Sequence, residues 1–343
     1  MSAALGIPVG FAPVGFAPVV YEHAAAFSDS TPYAISRNAG LLFRAHSAAY
    51  EFYRHRPIAV GIDVYNLEAE AFGAEVADPG GRDVPSVRRP IAETADMISR
   101  LPDWDPETES RFGLVLEAAS LLAERHPEAD IRIPLGGPFS IASTLMGFDN
   151  LLCDCLTDPD AVRAALEFLA RKQLAVARAA AARGFGFVLF DSAATPPLLS
   201  PGLFRDLVLP ALRIYREGLR SIPVRGSSSS SAPSLILGGD TVRILDSLLS
   251  LDPGFLICPA ETDQRAFMEI MREHPEVGVR LNMNASAVMD ANESVGEKEA
   301  ERVVAVAREV SVPGRPVLVG TGVLPVDAEP ARVRRLGEFI SRL

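Results

Sequence analysis

Short apolar segments that alternate with helix-like segments restrict the fold of this chain more than any other feature. Each apolar segment ends in small or polar residues and is followed by a stretch whose apolar residues recur at helical spacing. Strands that alternate with helices pair in parallel, because each helix returns the chain to the same edge of the sheet. The pattern therefore predicts an α/β fold. Seven such strands with long crossovers fit a closed (β/α)8 TIM barrel, in which one strand is unrecognised, better than an open sheet. The predicted strands are 58–63, 131–137, 185–192, 234–241, 254–260, 277–284 and 316–322.

Length, composition and charge limit the class of protein and its partners. The chain has 343 residues, of which 48% are hydrophobic and 22% charged, enough to bury a large core. Its net charge of −11 includes no basic cluster, so we expect neither nucleic acid nor a membrane surface as a partner. Three cysteines without a CxxC pair or a secretory signal argue against a disulfide framework and predict a cytoplasmic protein.

Prolines interrupt the apolar N-terminus and predict an extended segment there. The sequence GFAPV at 10–14 is repeated at 15–19, and proline at every fifth residue from Pro8 to Pro18 is incompatible with a helix. We expect residues 1–30 to form an extended arm for packing or subunit contact. Residues 31–343 would then form a single catalytic barrel domain.

Two loop regions differ from the rest in composition. Residues 74–115 are rich in proline, aspartate and glutamate, and we interpret them as an excursion that forms a lid or rim of the barrel. A run of five serines at 227–231 predicts a solvated loop, with contact to an oxyanion as the alternative.

Catalytic groups of such barrels lie at the carboxyl ends of the strands, so three acidic residues there are candidates for catalysis. Asp63 ends a predicted strand, where a carboxylate accepts hydrogen bonds from a ligand or acts as a general base, with helix capping as the alternative. Glu68 and Glu70 are two residues apart and cannot share one helix face, and we choose Glu68 for the site. Asp240 follows two glycines that permit close approach of a ligand, or it caps a tight turn.

Polar residues at the other strand ends are candidates for substrate binding. Ser192 has no histidine near it in the sequence, so we assign it to hydrogen bonding rather than to nucleophilic attack. Asn282 and Asn284 alternate along one strand and would face the same side. Glu261 offers a second carboxylate for the site, and its alternative roles are to cap a helix or to form a salt bridge. We interpret Cys258 as a buried apolar residue. The predicted binding residues are Tyr65, Asn66, Phe139, Asp191, Ser192, Glu261, Asn282, Asn284 and Thr321.

Six segments, which follow one another along the chain in the order given below, resemble the uroporphyrinogen decarboxylase superfamily. This superfamily includes that decarboxylase and the barrel methyltransferases that serve corrinoid proteins. The resemblance covers roughly residues 30 to 343 and implies a barrel of the uroporphyrinogen decarboxylase type that forms a homodimer. The segments are DVYNLEAEAFG (63–73), GGPFSIASTLMG (136–147), LFDSAATPPLLSPGLFRDLVLP (189–210), GGDT (238–241), LNMNASAVMD (281–290) and VGTGVLPVDAEP (319–330).

The resemblance to the decarboxylase itself is incomplete. Asp63 matches the strand-end aspartate that binds pyrrole NH groups in that family, and Ser192 matches the serine of its Asp/Glu-Ser segment. The family's arginine-rich RQAGR motif has no counterpart beyond the scattered Arg37 and Arg44, and its tyrosine after the GxP segment falls at Thr144. The family's histidine near the C-terminus corresponds to Thr321 in this chain. A substrate with many carboxylates needs several guanidinium partners, so we do not expect decarboxylation of uroporphyrinogen.

The methyltransferase branch resembles this chain in the YNLEAEAFG segment. It commonly activates a thiol or a methyl donor with zinc, which is held by a His-x-Cys pair and a later cysteine. Those positions are Ile236, Gly238 and Thr321 or Gly322 here, so we expect no zinc site.

The resemblance therefore implies methyl transfer to a small molecule in the barrel mouth. A corrinoid or a folate would be the methyl donor, and a corrinoid protein would be a partner. Asp63 would orient or deprotonate the acceptor, with Glu68 and Asp240 beside it. The alternatives are a decarboxylase or other lyase that protonates a carbanion with a carboxylic acid, and a noncatalytic binder of a tetrapyrrole, corrinoid or folate-like ligand.

Overall fold

The computed structural model describes residues 14–223, 234–310, 315 and 317–343 of the chain. The serine run at 227–231 and most of the first GFAPV copy lie outside the described residues. Within the described part, eight strands form one parallel sheet and two form an antiparallel hairpin. The strands are β1 Gly15–Val19, β2 Ile58–Ala59, β3 Val76–Ala77, β4 Ser86–Val87, β5 Ile131–Gly136, β6 Gly186–Phe190, β7 Ser234–Ile236, β8 Phe255–Cys258, β9 Gly278–Asn282 and β10 Val317–Val323.

The parallel sheet curls into a barrel-like shape. Its strands lie side by side in the order β1, β10, β9, β8, β7, β6, β5, β2, so the strands from β5 to β10 each pair with their neighbour in sequence. The two edge strands approach each other, because Tyr21 after β1 lies against Gly61 after β2. Val19 and Ala59 from these two strands belong to one buried cluster. The predicted α/β barrel fold is confirmed, and each of the seven predicted strands is present.

Helices connect the strands and cover the outside of the sheet. No helix among the described residues combines the length and the apolar character needed to cross a membrane. Shorter 3₁₀- or π-helical turns lie at Glu22–Phe27, Phe204–Val208 and Val242–Ile244. The α-helices are α1 Pro32–Ser36, α2 Ala39–Tyr53, α3 Asn66–Ala71, α4 Ala95–Ile98, α5 Phe112–Arg125, α6 Pro138–Met146, α7 Phe148–Thr157, α8 Pro159–Ala182, α9 Pro201–Leu203, α10 Leu209–Arg220, α11 Leu245–Leu249, α12 Gln264–Met271, α13 Ala285–Met289, α14 Glu293–Glu309 and α15 Pro330–Ile340.

Helix α8 shows how local sequence signals set the bounds of these helices. The Asp158 side chain caps its first turn by accepting a hydrogen bond from the Ala161 N–H at 3.2 Å. Pro159 occupies the first helical position, where a missing N–H has no intrahelical partner to lose. Gly184, with a φ of 83°, follows the end of the helix and turns the chain toward β6.

The strand that the sequence pattern did not reveal is β1, the second GFAPV copy. It pairs in parallel with β10, and Ala17 lies opposite Gly320. Pro18 has no N–H to donate, and the register shifts between Ala17 and Val19. Proline is tolerated because β1 is an edge strand. Part of the expected N-terminal arm is therefore a strand of the barrel sheet, and the arm stays a prediction for residues 1–13, which lie outside the described residues.

Two glycines leave room for large side chains inside the barrel. A Cβ atom on Gly61 would lie 2.4 Å from the Tyr21 hydroxyl oxygen, and one on Gly320 would lie 2.6 Å from Cδ of Arg280. The interior of a (β/α)8 barrel is usually filled by branched apolar side chains. In this barrel a phenol and a guanidinium group occupy part of that space, and both side chains are buried.

We expect Gly61→Ala to destabilise the protein by about 1–3 kcal/mol, because the added methyl group overlaps the Tyr21 ring in a packed interior. Gly186→Ala is the matched control on another strand, since its Cβ would meet the Arg132 side chain at an ordinary 3.5 Å. Urea unfolding of the two variants measures the difference. Equal stability of both variants would contradict the close contact between Tyr21 and Gly61.

Candidate functional site

A cavity of about 470 Å³, which we call the mouth cavity, opens where the carboxyl ends of the strands meet. This is the end of a (β/α)8 barrel at which active sites are found. The predicted site residues that line it are Asp63, Tyr65, Asn66, Ser192, Glu261, Asn282 and Thr321.

Asp63 is held in the mouth cavity by Arg111. The Nη1 and Nη2 atoms of Arg111 donate hydrogen bonds to Oδ1 and Oδ2 of Asp63 at 3.0 and 2.8 Å. The Arg111 side chain is 9% exposed and that of Asp63 2%, so the solvent screens this two-point ion pair weakly. Burial raises the pKa of the Asp63 carboxyl, and the adjacent guanidinium opposes that rise. Each carboxylate oxygen keeps a further lone pair with which it can accept a hydrogen bond from a ligand.

Arg111 is a residue that the sequence analysis missed, and it links Asp63 to a wider charge network. Its Nε donates to Glu70, which also accepts a hydrogen bond from Nη1 of Arg37. Nη1 of Arg111 additionally donates to the Ser36 carbonyl oxygen at 3.3 Å. The available sequence signal was an arginine directly after the acidic run DPETES. Nothing local in the sequence connects that position with Asp63.

The excursion at 74–115 contributes one wall of the mouth cavity. It contains the β3–β4 hairpin, helix α4 and, near its end, Arg111. Val84 lines the cavity, and the Pro85 carbonyl oxygen accepts a hydrogen bond from Nδ2 of Asn66 at 2.7 Å. These contacts attach the excursion to the start of α3. Its role as a lid stays a prediction.

Tyr65 and Ser192 form a polar contact across the mouth cavity. Tyr65 has a φ of 71°, a left-handed conformation that is uncommon for an aromatic residue and that turns the chain from the end of β2 into α3. Its hydroxyl lies 3.2 Å from the Ser192 hydroxyl and accepts a hydrogen bond from the Ser192 N–H at 3.2 Å. Burial raises the pKa of Tyr65 to about 12, so the phenol is neutral at physiological pH.

Asn282 and Thr321 come from the ends of β9 and β10. Oδ1 of Asn282 accepts a hydrogen bond from Nε of Arg280 at 3.1 Å, which orients the amide and leaves its Nδ2 group as a donor for the cavity. The Thr321 hydroxyl donates to the Gly322 carbonyl oxygen at 2.9 Å and accepts from the Val19 N–H at 3.3 Å. Thr321 therefore helps to join β10 to β1 as well as lining the wall.

Glu22 is a second residue of the mouth cavity that the sequence analysis missed, because the segment after β1 was interpreted as part of an arm. Burial, followed by the charge of Asp327, raises the pKa of Glu22 to about 7. A carboxyl group with a pKa near the working pH is suited to proton transfer. Glu261 adds an exposed carboxylate at the rim. Among the described residues no lysine, arginine or histidine lines the cavity, so its charged lining groups are acidic.

Two predicted carboxylates lie behind the wall of the mouth cavity rather than in it. Oε1 of the buried Glu68 accepts hydrogen bonds from the Gly136 N–H at 2.7 Å and from Nε2 of Gln173 at 2.9 Å. Oδ1 of the buried Asp191 accepts from the N–H and the hydroxyl of Ser140 at 2.9 and 2.7 Å. Both carboxylates are turned toward the helices outside the sheet, and their roles in the site stay predictions. Burial raises the pKa of Asp191 to about 6.

Three further predicted residues cap turns or fill the core. Oδ1 of Asp240 accepts a hydrogen bond from the Val242 N–H at 3.2 Å, which is the capping role that the sequence left open. Oδ1 of Asn284 accepts from the Ser286 N–H at 2.8 Å at the start of α13. Phe139 is fully buried in α6. These three residues are not among those that line the mouth cavity in the described part of the chain, and their roles stay predictions.

The polar groups of the mouth cavity do not resemble a zinc site. The described residues contain no group of three or more His, Cys, Asp or Glu side chains that could hold a metal ion. The thiol of Cys258 lies 3.7 Å from the Pro259 carbonyl oxygen, and burial raises its pKa well above the ordinary value. From the described residues, the cavity offers carboxylate, amide and hydroxyl groups but neither thiolate nor imidazole. This donor set does not fit the nitrogen and sulfur ligands that usually hold zinc.

The curled parallel sheet has a polar cavity at its carboxyl ends, the position at which barrel enzymes have their active sites. A family model described as uroporphyrinogen decarboxylase (URO-D) matches residues 1–341. The chain belongs to the uroporphyrinogen decarboxylase family. The resemblance seen in the six sequence segments is thereby confirmed.

Solved structures of two other proteins have a similar fold. A methyltransferase from Methanosarcina mazei superposes with a TM-score of 0.79 at 18% identity, over 97% of this chain and 94% of that chain. A B12-independent methionine synthase from Shewanella sp. W3-18-1, in complex with selenomethionine, gives a TM-score of 0.53 at 11% identity, over 96% of each chain. These similarities concern the fold.

Two curated proteins are similar over part of their length. Methylcobamide:CoM methyltransferase MtbA from Methanosarcina acetivorans is 26% identical over 169 residues, 49% of this chain and 49% of that protein. Methylated-thiol–coenzyme M methyltransferase from Methanosarcina mazei is 29% identical over 180 residues, 51% of this chain and 48% of that protein. The chain thus spans about half the length of the curated relatives that it matches.

We expect Arg111→Met to lower the free energy of unfolding by about 3–5 kcal/mol, because it leaves the Asp63 carboxylate buried without its partner. The double variant Asp63→Asn/Arg111→Met should be less destabilised than the sum of the two single variants, since neither charge remains alone. Urea unfolding of the four proteins measures the coupling. Arg54→Met, which removes an exposed pair with Glu128, is the control and should change stability by less than about 0.5 kcal/mol. Additive single-variant effects would contradict a coupled pair.

Asp191 should make the stability of the protein depend on pH. Its pKa is about 6 in the folded state and 3.8 ordinarily, so the folded protein binds this proton more tightly than the unfolded chain does. The protonated Asp191 carboxyl group therefore contributes to the free energy of unfolding, by at most about 3 kcal/mol. This contribution is fully present below about pH 4 and is lost as the pH rises through about 6. As the pH rises from about 4 to about 6, the free energy of unfolding of the wild-type protein should therefore fall relative to that of Asp191→Asn. A difference between the two proteins that stays constant across this range in urea unfolding would contradict the raised pKa.

Proposed function

We propose that this protein transfers a methyl group to a small acceptor bound in the mouth cavity, with a corrinoid or a folate as the methyl donor. The observation that carries the proposal is the Asp63 carboxylate, which Arg111 fixes at the wall of a cavity that contains no other strongly paired charge. The curated relatives support it, because one is named as a methylcobamide:CoM methyltransferase and the other as a methylated-thiol–coenzyme M methyltransferase.

A methylated corrinoid supplies an electrophilic methyl group and retains the electron pair of the bond that breaks. No imidazole lines the mouth cavity in the described residues, so this part of the chain offers no side chain of the kind that ligates a corrinoid cobalt. This favours a donor that is carried by a partner protein over one that resides in this chain. The acceptor provides the electron pair of the new bond to carbon and loses a proton.

The lining of the mouth cavity favours a neutral or cationic acceptor. Its volume of about 470 Å³ suits a small molecule. Asp63 can accept a hydrogen bond from an N–H or O–H group of the acceptor, and Nδ2 of Asn282 can donate one. The acidic groups of the lining would repel a polycarboxylate, and Arg37 is already paired with Glu70. Uroporphyrinogen is therefore disfavoured as the substrate.

Glu22 is the group that we assign to proton transfer. Its pKa of about 7 allows it to be ionised in a large fraction of the molecules at neutral pH and to accept the proton that the acceptor releases. Asp63, whose two oxygens are both paired with Arg111, is better suited to orient the acceptor than to remove its proton. The two carboxyl groups thus have different tasks because their surroundings differ.

Methylcobalamin with a panel of neutral thiols and amines tests the proposal, since loss of its methyl group changes the visible spectrum. We expect Asp63→Asn to lower kcat/KM by about 10- to 100-fold, the value of a hydrogen bond to a charged group. Asp246→Asn removes an exposed carboxylate of α11 and should leave the rate unchanged. Unchanged turnover in Asp63→Asn with a proven substrate would contradict the assignment. Release of carbon dioxide without any methyl donor would support a decarboxylase instead.

Glu22→Gln should change the pH profile of methyl transfer rather than only its height. In the wild-type protein the rate should rise with pH through about 7, as Glu22 loses its proton and becomes able to accept another. In the variant this limb of the profile should be absent. A limb near pH 7 that persists in Glu22→Gln would assign proton transfer to another group.

A further inference from the structure

A second cavity, which we call the floor cavity, lies inside the barrel at the amino ends of the strands. Its volume is about 310 Å³. Barrels of this type usually fill this region with layers of branched side chains. In the part of the chain that the structure describes, this region keeps an open space. The lining consists mainly of apolar side chains from the strands, among them Ala17, Ala59, Val188, Ile257 and Leu318.

A buried apolar cluster separates the floor cavity from the mouth cavity. Val19 and Val188 of this cluster line the floor cavity, whereas Tyr21 and Phe190 line the mouth cavity. The rings of Tyr21 and Phe190 pack with their centroids 5.3 Å apart. Ile236, which packs on this cluster, lines both cavities, so the cluster forms a wall that the floor cavity shares with the candidate active site.

Arg280 lines the floor cavity and forms no ion pair with the residues that the structure describes. Its side chain is buried, and its one hydrogen bond within the described residues joins Nε to Oδ1 of Asn282. The buried Nη2 atom has no hydrogen-bond partner there, and no charged group of the described residues counteracts the effect of burial on the guanidinium. Burial lowers the pKa of Arg280 to about 10. A buried guanidinium group that keeps its charge without a counter-ion is costly.

The other charged groups around the floor cavity lie at its rim and are engaged. Nε and Nη2 of Arg132 donate to the two carboxylate oxygens of Asp130 at 3.1 and 2.8 Å. Nη2 of Arg56 donates to the Glu128 carbonyl oxygen at 3.4 Å. The one carboxylate of the rim is therefore neutralised by its neighbour and does not compensate Arg280.

We propose that the floor cavity binds a small carboxylate with an apolar body, whose anionic end pairs with Arg280. The apolar walls match the body of such a ligand, and the guanidinium, whose Nη2 has no hydrogen-bond partner in the described residues, matches its carboxylate. The volume lies at the lower end of the range of small-molecule sites, about 300–1,000 Å³. Binding at this site does not require methyl transfer, although the hydrogen bond from Nε of Arg280 to Oδ1 of Asn282 joins the two cavities.

Thermal unfolding of the 343-residue chain with three probes at equal ionic strength tests the proposal. Hexanoate has both the apolar body and the charge, hexanamide has only the body, and acetate has only the charge. Hexanoate at ten times its Kd should raise the Tm by about 2 °C, and the other two should raise it less at the same concentration. Arg280→Met should abolish the difference between hexanoate and hexanamide, whereas Arg56→Met at the rim should keep it. Equal shifts with hexanoate and hexanamide in the wild-type protein would overturn the proposal.

A second measurement needs no variant and applies even if Arg280→Met does not fold. Crystals of the wild-type protein soaked in 6-bromohexanoate should show an anomalous bromine peak among the apolar residues of the floor cavity, with the carboxylate at Arg280. A bromine peak only outside the floor cavity, or no peak at a concentration that shifts the Tm, would overturn the proposal.

Discussion

Two glycines in the barrel wall, Gly61 and Gly320, determine what can occupy the barrel interior. A Cβ atom at either position would overlap a large polar side chain, the Tyr21 phenol or the Arg280 guanidinium group. These groups take the place of some of the branched apolar side chains that commonly fill such barrels. Tyr21 lines the mouth cavity and Arg280 lines the floor cavity. The two glycines therefore make room for one large polar side chain at each of the two cavities.

The mouth cavity places two carboxyl groups in different surroundings. Asp63 receives two hydrogen bonds from Arg111, which is itself joined to Glu70 and through it to Arg37. Glu22 has no ion pair in the described part of the chain, and burial brings its pKa to about 7. One carboxylate is thus suited to hold an acceptor and the other to exchange a proton. The proposed division of labour rests on this difference.

The sequence predicted the repeated strand–helix units and the end of the barrel that holds the polar cavity. It did not reveal β1, because proline in an edge strand has the same appearance as proline in an irregular arm. It also did not reveal Arg111, since the contact with Asp63 joins residues 48 positions apart in the chain. The orientations of Glu68 and Asp191 were not predictable for another reason. Asp191 directly follows β6 and Glu68 lies in α3, and packing decides whether such a side chain faces the cavity or the helices.

The pKa of Glu22 tests the central claim most directly, because the proposed division of labour requires one carboxyl group of the mouth cavity to titrate near neutral pH. Carbon-13 NMR of protein labelled at the glutamate side-chain carboxyl would follow each group as a function of pH, and Glu22→Gln would assign the resonance of Glu22 by its absence. The account predicts a midpoint of about 7 for that resonance. A midpoint near the ordinary glutamate pKa of about 4.3 would contradict it.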